Sequence, residues 1–145
     1  MNNDMIVLDD GVKTYEIVDT KGEKLGEIKL NVNDNRLPER FEKTESDIRN
    51  IVGFIKMELA KGKDPMTVLK KSEKKVADAI NYLFDKDIAS TFFSITSPFT
   101  LLPDGQFFVE NVINAIRVLI EDENEKRIKA LNDRVKKYTE KYTEK

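Results

Sequence analysis

The apolar residues of this 145-residue chain change their period once, near residue 32, and that change limits the folds open to it. Before it, Val12, Tyr15 and Ile17, then Leu25, Ile28 and Leu30, alternate with Lys, Thr and Glu, the pattern of strands wet on one face. Turn chemistry at Asp9-Asp10-Gly11 and Thr20-Lys21-Gly22-Glu23 divides the stretch into strands Met5 to Leu8, Val12 to Asp19 and Leu25 to Asn31. The last two form the better hairpin, because Gly22 can take the positive φ its loop needs. After the change, apolar residues recur every three, four or seven positions, which is helical spacing. One face of the sheet needs a cover, and the helices supply it. The expected fold is therefore α+β, a short N-terminal antiparallel β-meander followed by a mainly helical bundle with a long charged C-terminal helix. It is one domain over 1–145, divided into a meander (1–32), a helical core (33–120) and an amphipathic charged helical tail (121–145).

The first helix starts around Leu37-Pro38-Glu39, where Asn or Asp can cap the first amides and Pro38 suits the first turn. Leu37, Phe41, Ile48, Ile51, Val52, Ile55 and Leu59 make its stripe, with Gly53 as a weak point and Gly62 as its end. A second helix starts at Asp64-Pro65 and puts Leu69, Val76, Ile80, Leu83 and Phe84 on one face, with Lys70, Lys71, Lys74 and Lys75 on the other.

From Asp87 to Gly105 the apolar residues Ile88, Phe92, Phe93, Ile95, Phe99, Leu101 and Leu102 crowd together, while Pro98, Pro103 and Gly105 forbid one continuous helix. A short helix followed by a looping plug fits both facts. Clustered phenylalanines are mostly buried, which makes the plug part of the core; the alternative is an exposed apolar anchor for a partner. A long helix resumes from Gln106 with Phe107, Phe108, Val112, Ile113, Ile116, Leu119 and Ile120. Beyond Glu121 its apolar residues thin to Ile128, Leu131, Val135, Tyr138 and Tyr142, a heptad seam in a charged segment. Such a seam must dock back, pair with another copy or accept a partner, since a lone helix this charged is marginal in water.

The chain has no histidine, cysteine or tryptophan, and 36% of it is charged. That removes the side chain that titrates near neutrality and the common thiol nucleophile and soft metal ligand. With 25 Lys plus Arg against 27 Asp plus Glu, no global field favours nucleic acid or an anionic membrane. The lysines of the second helix, with Lys61 and Lys63, are interrupted by Glu73 and Asp78 and read as a solvated face, so nucleic acid is not an expected partner. No run approaches the roughly 20 apolar residues of a membrane span, and the first residues lack the features of a signal peptide. The expected place is the cytoplasm. Asp19, Glu27 and Lys29 could set an acidic pair and a lysine around Mg²⁺, as metal-dependent nucleases do, but alternating charges on the wet face of a strand look the same. The expectation is a non-enzyme with no cofactor and no metal.

Several strings carry a resemblance: Asn31-Val32-Asn33-Asp34-Asn35-Arg36-Leu37-Pro38-Glu39-Arg40-Phe41 leading into a helix, a helix ending Ala79-Ile80-Asn81-Tyr82-Leu83-Phe84, a Ser97-Pro98-Phe99 loop, and Lys137-Tyr138-Thr139 in a basic tail. With the order of elements, they resemble small tail proteins of siphophages and prophages of Gram-positive bacteria, similar to tail assembly chaperones. The resemblance implies a protein of the host bacterial cytoplasm that binds the long tape measure protein and keeps its hydrophobic helices soluble while tail tube subunits polymerise. It also implies self-association, as a homo-oligomer, and brings no cofactor or catalytic residue. A structural virion component, such as a tail completion or head-tail joining subunit, is the alternative, and a metal-dependent nuclease a third class. On the binding reading, the contact residues are Phe99, Leu101, Leu102 and Phe108, with Ile128, Leu131, Val135 and Tyr138 of the seam.

Overall fold

The structure, a computed structural model, describes the backbone of residues 4–143 and side chains through residue 141. Its sheet has two strands, β1 (Lys13–Val18) and β2 (Lys24–Leu30), antiparallel, with Tyr15 opposite Ile28 and a bulge between Ile17 and Val18. The Asp19 carboxylate builds the connecting loop by accepting the amides of Lys21 (2.8 Å) and Glu23 (3.0 Å), and Gly22 takes φ 84°. Alternation then does what period two requires. Tyr15, Ile17, Ile28 and Leu30 face the helices, and the charged residues between them face water.

The third strand expected at Met5 to Leu8 does not form. The turn before β1 does, since Asp9 and Asp10 accept the amides of Gly11 and Val12 and Asn31 Nδ2 donates to the Asp10 carbonyl. But Met5, Ile6, Val7 and Leu8 are four apolar residues in a row. A strand apolar on both faces needs burial on both, and a hairpin buried on one side cannot offer it, so Ile6, Val7 and Leu8 stay more than four-fifths exposed.

Four helices follow among the described residues: α1 (Leu37–Ala60), α2 (Pro65–Phe84), the single-turn α3 (Ala89–Phe93) and α4 (Phe108–Thr143). Pro38 lies in the first turn of α1, but no side chain caps it. Asp34 instead holds the amide and guanidinium of Arg36 just ahead of the helix. Gly62, at φ 80°, reverses the chain after α1, and Asp64 caps α2 by accepting the Thr67 amide at 3.1 Å.

Antiparallel α1 and α2 pack through Ile48, Val52, Ile55, Val68, Val76, Ile80 and Leu83, each buried and each stabilising by about 1.5–3 kcal/mol. Thr44 takes an apolar position in the stripe yet is fully buried, because its hydroxyl donates to the Ala79 carbonyl of α2 at 3.1 Å. The sheet's inner face and the first half of α4, through Val109, Val112, Ile113 and Ile116, complete a single core.

Candidate functional site

The Phe-rich segment becomes structure through its breakers. Leu101 pairs with Phe107 in a one-pair antiparallel bridge, the Leu102 amide donates to the Gln106 carbonyl (2.8 Å), and the Gly105 amide donates back to Leu102 (2.9 Å). Pro103 and Asp104 form the turn, and Gly105 at φ 89° closes it as a miniature hairpin. The amides of Phe108 and Val109 donate to Thr100 and Pro98, so this strap enters α4 with its polar backbone satisfied. That is how a loop this apolar can lie against the core.

The strap divides its aromatic residues. Phe99 points inward, 6% exposed and edge-on to Phe107 at 5.4 Å; Phe93 and Phe108 make a second edge contact at 6.3 Å. Phe99 is therefore a core residue and leaves the set of contact candidates. Leu101 is two-thirds exposed on the outer side of the bridge. Leu102 and Phe108 are half-buried, and they line a groove of about 550 Å³.

This groove lies where the far end of the β-hairpin meets α3, the strap and α4. Ile17, Val18 and Leu25 come from the hairpin, Phe92 and Ile95 from the α3 region, Leu102 and Pro103 from the strap, and Phe108, Val112 and Ala115 from α4. Asp19, Thr20, Asp104 and Asn111 are the polar members. Sequence reasoning found Leu102 and Phe108 but not the hairpin wall. The available signal was Val18 and Leu25, two apolar residues beside the Lys21-Gly22 turn at positions where a solvated hairpin end carries polar ones.

Beyond Ile120, α4 runs off the body. Where it leaves, buried Glu123 lies 3.6 Å from Lys13 of β1 and 3.8 Å from Lys126, and Arg127 donates to the Asn33 carbonyl at 2.9 Å. The Tyr15 hydroxyl is buried beneath this exit without a hydrogen-bond partner among the described residues; burial, and then the Glu123 charge, push its pKa up. Glu123 and Arg127 fix the helix direction, a role that depends on partners distant in the chain and leaves no local signal. Past them, Ile128 and Leu131 are about half exposed and Val135 and Tyr138 more, and the side chain of Tyr142 falls outside the described residues. The two parts of the expected contact set are thus separate: Leu102 and Phe108 on the body, the seam on the projecting helix.

The acidic candidates have other partners. Asp19 is the acceptor of its loop, and Glu27 pairs with Lys24, which lowers its pKa. Among the described residues no three His, Cys, Asp or Glu side chains cluster so as to hold a metal ion, and no helix is long and apolar enough to cross a membrane. The α2 lysines lie on its exposed face, with Lys75 over the Phe54 ring at 5.5 Å. No family model, curated protein or solved structure matches the chain.

Proposed function

We propose that the protein is a non-catalytic binding protein that takes an apolar segment of another protein into the groove between hairpin, strap and α4. The observation that carries this reading is the groove itself, a concave apolar surface where the hairpin, the α3 region, the strap and α4 meet. It has room for a few large side chains rather than a whole helix, so the ligand lays one apolar face into it, as helix-in-groove recognition does. A charged exterior around such a groove suits a protein that keeps an aggregation-prone client dispersed.

The client is a helix of a phage tape measure protein, held in the bacterial cytoplasm during tail assembly. The order of elements and the strings at Asn31–Phe41 and Ala79–Phe84 support this finer reading. The test is co-expression with the tape measure protein. The native chain should keep the client soluble and co-purify with it. Leu25→Glu with Leu102→Glu, two changes at groove positions outside the buried core, should abolish co-purification with an unchanged circular dichroism spectrum. Undiminished binding would refute the groove. Mass spectrometry of purified virions separates a chaperone, absent from mature tails, from a structural subunit present in fixed copy number.

A further inference from the structure

The projecting half of α4 has a second use, independent of what the groove holds. We infer that the seam Ile128, Leu131, Val135 and Tyr138 pairs with the same seam of a second copy as a parallel two-stranded coiled coil. The occupant follows from the residue types. Ile128 and Val135 fall at the a positions and Leu131 at d, and β-branched a with Leu at d is the combination that favours parallel dimers.

The flanking charges agree. The g positions are Arg127, Arg134 and Lys141, and the e positions that face them across a parallel dimer are the neutral Asn132 and Thr139. In an antiparallel pair the g positions face each other, which sets Arg134 against Arg134 and Arg127 against Lys141. Like charges so placed destabilise. Toward the body the seam stops at Asn124 and Glu121, so the two helices splay apart there.

The body leaves room for this arrangement. At about 100° per residue, Val109, Ile116, Glu123 and Arg127 lie on one line of α4, the line that touches the body. The centre of the seam is turned from that line by about 80° by the same count. A parallel two-fold axis along the seam therefore puts the two bodies on opposite sides of the pair. Two heptads bury on the order of 1,000 Å², the lower end for a stable interface, so dimerisation depends on concentration.

Because the chain has no cysteine, a single introduced thiol reports the pairing cleanly. Tyr138→Cys should oxidise to a disulfide-linked dimer, since the two d positions are neighbours in the parallel coil. An antiparallel coil would separate them by about 15 Å along the axis and bring position 138 beside Ile128 instead. Sedimentation equilibrium of the unmodified chain should show the mass doubling as concentration rises. Leu131→Asp with Val135→Asp should keep the monomer mass at the same concentrations, with any loss of helix content no larger than the projecting half of α4. A chain monomeric throughout would overturn the inference. So would a dimer untouched by the double variant, or cross-linking that is stronger between Ile128→Cys and Tyr138→Cys copies than between two Tyr138→Cys copies.

Discussion

Asn81 holds the groove's α3 wall in place, and replacing it gives a quantitative test. Its Oδ1 accepts the amides of Ile88 and Ala89, both at 2.8 Å, while Asp87 accepts the amide and hydroxyl of Ser90. The first amides of α3 are thus satisfied by two side chains, one reaching across from the last turn of α2. Ile88 and Ala89 are 1% and 3% exposed, so water cannot readily replace the lost acceptor. A buried amide left unpaired costs about 1–3 kcal/mol, and two of them sharing one acceptor give a loss of about 2–4 kcal/mol for Asn81→Ala. For a domain of this size that lowers Tm by roughly 4–16 °C, at about 2–4 °C per kcal/mol. Asn81→Asp keeps the acceptor but sets a second carboxylate in place of the amide that bonds Asp87, so its loss should be the smaller one at acid pH, where protonation relieves the repulsion between the two carboxyls. Urea denaturation of the three proteins measures both. A loss below about 0.5 kcal/mol for Asn81→Ala, or equal losses for Ala and Asp at acid pH, would refute the two-amide account.

Three further outcomes are expected. Gly53→Ala should stabilise the protein by about 0.5–1 kcal/mol in thermal or urea unfolding, because Gly53 lies within α1 and a Cβ there meets no atom within 4 Å. Tyr15→Phe should raise stability by about 1 kcal/mol, since it removes a buried hydroxyl that has no hydrogen-bond partner; a clear loss would reveal a bond made by that hydroxyl. Hydrogen bonds from Arg36 hold the Asp34 carboxyl at about 2, below its ordinary 3.8. A depressed carboxyl stabilises the fold above its unfolded value, and the contribution disappears as pH falls from about 4 to 2. Asp34→Asn should flatten the acid limb of urea midpoint against pH in that window, and an unchanged limb would refute the assignment.

The architecture was legible where one physical signal acted alone. Period two placed β1 and β2, Asp64-Pro65 placed the start of α2, and Gly62 placed the end of α1. Met5 to Leu8 misled because β-prone residues lacked the alternation that a one-sided sheet demands. The strap was legible as an interruption but not as a hairpin, because its pairing depends on Pro103-Asp104-Gly105 bringing Leu101 to Phe107. Phe99 and Leu102 are equivalent in composition, yet the bridge sends one inward and leaves the other on the groove. The hairpin wall of the groove was invisible for a related reason: Ile17 and Leu25 join Phe108 only through tertiary packing. The seam was visible because it repeats. What directs it, Glu123 and Arg127 at the exit of α4, depends on partners as far away as Lys13 and Asn33.

Whether the groove receives a partner's apolar segment, as proposed, is read most directly at position 102. A photoreactive residue at Leu102, in cells that also make the tape measure protein, should cross-link to that protein upon illumination, and free competing apolar helix should reduce the yield. A folded variant that cross-links only to its own chain, or to nothing, would contradict the account.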